Sequence, residues 1–384
     1  MPTPDFVRET LDDLQARDLY RRLVAVGSAA GPRIEVGGRT VLQFASNNYL
    51  GLAADPRVRE AAVRAIEKWG WGAGASRLLA GHTDAHAALE ADLAAFKGAE
   101  AALVFPSGYM ANLGAVTAFV GRGDIVACDR ENHASIYDAV RLSGAELARY
   151  PHADVGAAAE LLGESSSARR ALLVTDTVFS MGGDLAPLGE LAAACRAAGA
   201  MLLVDEAHAL GVLGPTGAGL AEARAITASV GTLSKALGGV GGFVAASRDC
   251  VELLVNRARP FIYTTALPAA ACEAARAALA ILKAEPERRT RLLALADRLR
   301  RELRERGFDC GRSETQIVPV IVGEPARALA MADALLGRGI FCPAIRPPTV
   351  PPGTSRLRIS LTAEHTEEDA ELLVRALVDA RDKK

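Results

Sequence analysis

The run Ala101-Ala-Leu-Val-Phe105, the turn Pro106-Ser-Gly-Tyr109 and the following Met110-Ala-Asn-Leu-Gly-Ala-Val-Thr-Ala-Phe119 together decide the fold class. An unbroken aliphatic and aromatic stretch of five suits a strand buried on both faces. The Pro-Ser-Gly turn ends it, and the residues beyond have the composition of a helix. Short apolar runs of this kind recur at residues 125–128, 171–175, 201–204, 230–233 and 243–245, with Ala-rich helical stretches such as 188–198 between them. Strands alternating with helical crossovers predict a mostly parallel sheet. After Pro268 a helical Ala/Arg/Leu region extends to about Arg306, and strand-like residues 317–322 and 357–361 then alternate with helices. The expected architecture is therefore α/β: an N-terminal segment (1–45), a large domain with a mostly parallel sheet (46–285) and a smaller α+β C-terminal domain (286–384).

Chain-level quantities narrow the function. A chain of 384 residues is too long for one hydrophobic core. Its 44 basic and 46 acidic side chains leave a formal charge of -2, without the basic excess of a nucleic-acid binder. No stretch approaches the ~18 unbroken apolar residues of a membrane span. Asp5, Glu9, Asp12 and Asp13 stand where a secretory leader would be basic and apolar, so the cytoplasm is expected. The six cysteines are never closer than 22 positions apart, which suits buried reduced thiols and offers no metal framework.

Lysine is scarce. Only Lys68, Lys97, Lys235, Lys283, Lys383 and Lys384 occur, against 38 arginines. An imine with an aldehyde needs an amine able to lose its proton, which a guanidinium cannot supply. Five of the lysines lie in charged helical or tail contexts and are expected to be solvated. Lys235 instead follows a strand-like run in Thr232-Leu-Ser-Lys235 and precedes Gly238-Gly239, a setting that also suits an ordinary surface turn. Upstream, the run 201–204 ends in Asp205-Glu-Ala-His208. A carboxylate there faces the ligand crevice of an α/β sheet and can keep a pyridinium nitrogen protonated, while His208 can reach a phenolic oxygen on the same ring. A helix cap is the plain alternative. The four letters also spell a helicase signature, but no GxxxxGK[ST] phosphate loop accompanies them. Ser107, Gly108 and Tyr109 open a helix whose N–H groups suit a phosphate, with Thr232 and Ser234 as hydroxyl partners. His133, after the run 125–128, reaches the same edge, where its ring can stack on a planar cofactor or simply lie exposed.

These stretches, with Ser46-Asn-Asn-Tyr-Leu-Gly-Leu52, Asn132-His-Ala-Ser135 and Val178-Phe-Ser-Met181, stand in the order found in the α-oxoamine synthases, which the chain resembles over nearly its whole length. That family consists of pyridoxal 5′-phosphate enzymes of the aspartate-aminotransferase fold (fold type I). The resemblance implies Lys235 as the imine lysine and general base, Asp205 as the pyridinium partner, His208 as the phenolate contact and His133 as the stacked ring. It adds Ser107, Gly108, Tyr109, Ser180 and Thr232 as cofactor contacts, and Thr264 and Thr265 as contacts to the phosphate of a second subunit in a homodimer. For substrate it implies Arg346, Thr349, Arg21, Asn47 and again His133, with Arg346 pairing a carboxylate through its planar fork. Ala344-Ile-Arg-Pro-Pro-Thr-Val-Pro351 and Arg356-Leu-Arg358 are similar to the member that joins L-alanine to a pimeloyl thioester, carried by coenzyme A or acyl carrier protein, in biotin synthesis. Without that segment a glycine-using acetyltransferase fits equally. A cofactor-sensing regulator would need an added DNA-binding segment, which is not expected here.

Overall fold

The computed structural model describes residues 3–164 and 168–382, so Lys383 and Lys384 lie outside the described residues. The chain forms two compact units, one of Asn48–Ser180 with Leu185–Thr290 and one of Met1–Asn47, Met181–Asp184 and Arg291–Lys384.

Seven strands make one sheet in the first of these units. In spatial order they are Ala101–Phe105, Gly242–Ala246, Ala228–Thr232, Met201–Asp205, Ala171–Asp176, Ile125–Asp129 and Glu146–Tyr150. Gly242–Ala246 is antiparallel to both neighbours and the other six run the same way. The sheet is thus mostly parallel, and six strands deliver their carboxyl ends to one edge. Helices cover both faces. Phe105, Val116, Ile136, Val230 and Leu254 belong to the core under the helices Gly108–Phe119, Ala134–Ser143 and Arg248–Arg257. Leu162, Leu173, Leu191 and Leu202 belong to the core under Val155–Glu164 and Leu188–Ala198. The central strands are consequently mostly apolar, as strands covered on both faces must be, with the polar residues Asp129, Asp176, Asp205 and Thr232 at their carboxyl ends. Glu146–Tyr150 is an edge strand with only Tyr150 fully buried, and its Glu146 and Arg149 give it none of the apolar run that marks the others.

Two element boundaries depart from expectation. The strand expected at 230–233 begins at Ala228 and ends at Thr232. Leu233 leaves the ladder because its N–H bonds Gly241 O and its carbonyl accepts from Gly239 N, closing the lysine loop on itself. The helical region after Pro268 is two helices, Ala269–Ala284 and Glu287–Glu305. Pro286, between them, has no N–H to continue the first.

One lysine is also placed differently. Lys97 is buried rather than solvated: its ammonium pairs with the Glu206 carboxylate and donates to the Ala218 carbonyl. Glu206 accepts in addition from the backbone N–H groups of Leu220 and Ala221, at 2.6 and 2.9 Å. A buried charge persists only when paired and hydrogen-bonded in this way. Lys68 and Lys283 are exposed, over the rings of Trp69 and Phe96.

The other unit is α+β. It holds an antiparallel sheet of Ile317–Gly323, Ser355–Ser360 and Ala344–Ile345, and a second sheet of Arg33–Val36, Arg39–Gln43 and Ile340–Phe341. The helices Asp5–Ala16, Pro325–Gly337 and Glu367–Asp382, with Glu287–Glu305 from Arg291 onward, complete it. The hairpin at 33–43 has no counterpart in the sequence-based expectations, since its first strand alternates charged and aliphatic residues over only four positions.

Candidate active site

The expected cofactor residues of the first unit lie at the carboxyl edge of its sheet. Asp205 is the last residue of its strand, and Lys235 comes three residues after the end of the next. Asp205 is buried, accepting from the Ala207 N–H at 2.8 Å and from the Asn112 amide at 2.7 Å. Among the described residues it forms no ion pair. A buried carboxylate without a cation is costly, so a ligand that brings a positive N–H group fits this position.

His208 is buried, with Nδ1 2.6 Å from the hydroxyl of buried Tyr49. His133 caps the helix Ala134–Ser143, its Nδ1 accepting from Ser135 N. Its own N–H donates to Asp176 Oδ2 at 2.8 Å. Burial lowers the His133 pKa, the Asp205 charge raises it and the Lys235 ammonium lowers it, so both charges reach the ring. Asp176 pairs in register with Asp205 on the adjacent strand. Burial and the Asp205 charge push its carboxyl well above the usual range, with the His133 N–H and Lys235 opposing.

The helix Gly108–Phe119 starts where a phosphate can use its first N–H groups. The Ser107 hydroxyl is already engaged, accepting from Met110 N at 3.1 Å. Close approach of backbone shapes this corner. A Cβ on Gly242 would lie 2.5 Å from Gly108 N, and one on Gly108 would lie 3.4 Å from Thr232 Oγ1. Thr232 Oγ1 donates to Gly241 O at 2.9 Å and lies 2.8 Å from Ser234 Oγ, so an incoming phosphate competes with Gly241 for its proton. Tyr109 is half exposed, its hydroxyl donating to Asp138 at 2.6 Å. Ser180 is half-buried in the loop after Ala171–Asp176. Thr264 and Thr265 are held beside the loop 75–76 through the Ser76/Thr265 bridge and the Ala266 N–H to Ala75 O.

Apart from His133, the expected substrate residues sit in the other unit. Arg346 is buried and donates to the carbonyls of Asp18 and Tyr20, while Arg21 donates to Pro347 O at 3.3 Å. Burial and the nearby Arg21 lower the Arg346 pKa. The Thr349 N–H closes the same loop onto Arg346 O. Asn47 Oδ1 accepts from Arg358 at 3.0 Å. Sequence reasoning did not single out Tyr49, Asn112, Ser135, Asp176 or Arg358 as site residues. Asn112 had a readable signal, being an amide in an otherwise apolar helix; Tyr49, Ser135 and Arg358 lay inside stretches already quoted.

Pyridoxal 5′-phosphate carries what this edge lacks: a ring nitrogen that is cationic when protonated, a phosphate, and an aldehyde for a lysine. The strand order and the crevice are those of the fold type I pyridoxal-phosphate enzymes. Residues 39–377 match the model of the aminotransferase class I and II family. An 8-amino-7-oxononanoate synthase from Anaeromyxobacter dehalogenans is 55% identical over 97% of this chain and 94% of its own. Serine palmitoyltransferase from S. paucimobilis, solved with a bound PLP–myriocin aldimine, superposes with a TM-score of 0.92 at 34% identity, covering 98% of this chain and 96% of that one. An 8-amino-7-oxononanoate synthase from Francisella tularensis gives 0.76 at 28% identity over 88% and 97%. The chain belongs to the aminotransferase class I and II family and, within it, to the 8-amino-7-oxononanoate synthases.

Proposed function

We propose that the protein joins L-alanine to a pimeloyl thioester with loss of carbon dioxide, giving 8-amino-7-oxononanoate for biotin synthesis. The observation that carries this is the near full-length 55% identity to a synthase of that product. Bound pyridoxal phosphate supplies an aldehyde carbon for amine attachment and a ring that takes up the electrons left at Cα when a bond there breaks. Lys235 holds the cofactor between turnovers. With alanine bound, the Lys235 Nζ would take the Cα proton and later return one. With the cofactor bound, Asp205 would keep the ring nitrogen charged, His208, held by Tyr49, would contact the phenolic oxygen, and His133 would cover one face. Gly108, Tyr109, Ser107 and Thr232 take the phosphate, with Ser180 near the ring.

Arg346, Thr349, Arg21 and Asn47 are the assigned substrate contacts, Arg346 for the carboxylate. The assembly is a homodimer in which Thr264 and Thr265 serve the second subunit, and the exposed Trp71, Leu79 and Tyr263 give the large unit apolar surface to bury. The compartment is the cytoplasm; no helix among the described residues is long and apolar enough to cross a membrane. Turnover of alanine with pimeloyl-CoA and with pimeloyl-acyl carrier protein, against glycine with acetyl-CoA, tests the assignment. Release of 8-amino-7-oxononanoate from either pimeloyl donor is expected. Preference for glycine and acetyl-CoA overturns it in favour of a glycine acetyltransferase.

A further inference from the structure

Three buried groups, Asp205, Asn112 and Ser135, form a single hydrogen-bonded line that ends on the exposed ring of His133. The Asn112 amide nitrogen donates to Asp205 Oδ2 at 2.7 Å and to Ser135 Oγ at 2.9 Å. Ser135 Oγ lies 2.7 Å from His133 Nδ1. Asn112 and Ser135 are sealed from bulk solvent, at 1% and 0% exposure.

Proton accounting gives this line one direction. A carboxylate only accepts, so the amide must turn its nitrogen toward Asp205. The reversed amide would set Oδ1 against a carboxylate oxygen. In the observed orientation Oδ1 is buried and meets no donor among the described residues, while the two amide protons are aimed at Asp205 and Ser135. With both Asn112 protons spent, Ser135 Oγ is an acceptor toward Asn112, and its own proton is left for His133 Nδ1. The Ser135 backbone N–H also points at that nitrogen, at 3.3 Å. Nδ1 therefore faces two donors and carries no proton of its own.

We propose that Asn112 is a positioning residue which, through Ser135, fixes His133 as the neutral tautomer protonated on Nε2 while it anchors the Asp205 carboxylate. The inference rests on Asp205 and His133 being cofactor-facing residues. It makes the residue beside the ring nitrogen and the residue stacked on the ring parts of one device. An uncharged imidazole does not oppose the charge that Asp205 sustains on the ring, and its Nε2–H is left as the outward donor.

Nitrogen NMR on protein labelled with 15N-histidine, loaded with cofactor, reads the tautomer directly, with His133→Phe used to assign the signal. A pyridine-type Nδ1 and a pyrrole-type Nε2 are expected at pH 7. Asn112→Leu should mix the two tautomers and weaken cofactor retention about tenfold or more, as loss of a hydrogen bond to a charged group does, with KM for alanine within about twofold. Ser135→Ala should mix the tautomers but leave cofactor retention within about threefold, and Ser135→Thr should restore the wild-type pattern. A protonated Nδ1 in the wild type overturns the proposal, as does an unchanged tautomer in Ser135→Ala. Should Asn112→Leu not fold, the wild type and the Ser135 pair still decide. Failure of the functional reading looks different: no visible absorbance from cofactor held at Lys235, whatever the histidine tautomer.

Discussion

Lys235 is followed in the chain by glycines that free its loop, and it carries an amine whose field reaches both His133 and Asp176. Lys235→Ala removes the group proposed to anchor the cofactor and to move the Cα proton. Visible absorbance of bound cofactor should disappear, and turnover should fall by at least the ~10²–10⁴-fold typical of a lost general base. A coloured, active variant would refute the assignment. At this scale the sequence was most informative, because a residue's chemistry travels with its identity. Which partner each residue meets was not visible: Tyr49 reaches His208 across 159 positions, and Asn112 reaches Asp205 across 93.

Strand and helix ends determine the shape of the corner proposed for the phosphate. Gly242 faces Thr232 on one neighbouring strand and Phe105 on the other, with the start of the helix Gly108–Phe119 above it. Its backbone is ordinary for any residue; what excludes a side chain is the 2.5 Å between an added Cβ and Gly108 N. Gly242→Ala should destabilise the protein by about 1–3 kcal/mol, as overpacking does, and weaken cofactor retention, both measurable by urea unfolding and dialysis. Full stability and retention would show that the helix start can shift. The Lys97–Glu206 pair ties the end of the helix Asp84–Lys97 to the motif that contains Asp205 and His208. Lys97→Met leaves a buried carboxylate with backbone donors only, and about 3 kcal/mol of stability should be lost. A loss below about 1 kcal/mol would mean water reaches Glu206. The glycine turn and Asp205 were legible along the chain. The burial of Lys97 was not, since its neighbours in sequence give no sign of the carboxylate 109 positions away.

For the molecule as a whole, His86 sets an acid limit. It is fully buried in the helix Asp84–Lys97, with Nε2 3.0 Å from Leu267 O and Nδ1 accepting from Thr83 N at 3.3 Å. Burial, then Arg77 and His82, hold its pKa down to about 4, below the ordinary 6.5. A folded-state pKa below the unfolded one means that the neutral ring's contribution is complete above pH 6.5 and is lost as pH falls through 4. Between pH 7 and 5 the wild type should lose about 2 kcal/mol from this group alone. His86→Gln should show a shallower slope in urea unfolding over the same window. An identical slope would place the acid sensitivity elsewhere.

Apolar period and turn chemistry determined the α/β class and the alternation of strand and helix, and singled out Lys235 as the candidate amine, because these depend on residues close in sequence. The edge strand Glu146–Tyr150 and the hairpin at 33–43 escaped, since charged residues interrupt their apolar character and only pairing partners make them strands. The tertiary structure alone decided the hydrogen-bonded line from His133 to Asp205, the burial of Asp205 without an ion pair among the described residues, and the pairing of Lys97. Each of these depends on distances between residues far apart in the chain, and on a dry interior in which an unpaired charge or amide is expensive enough to dictate its neighbours.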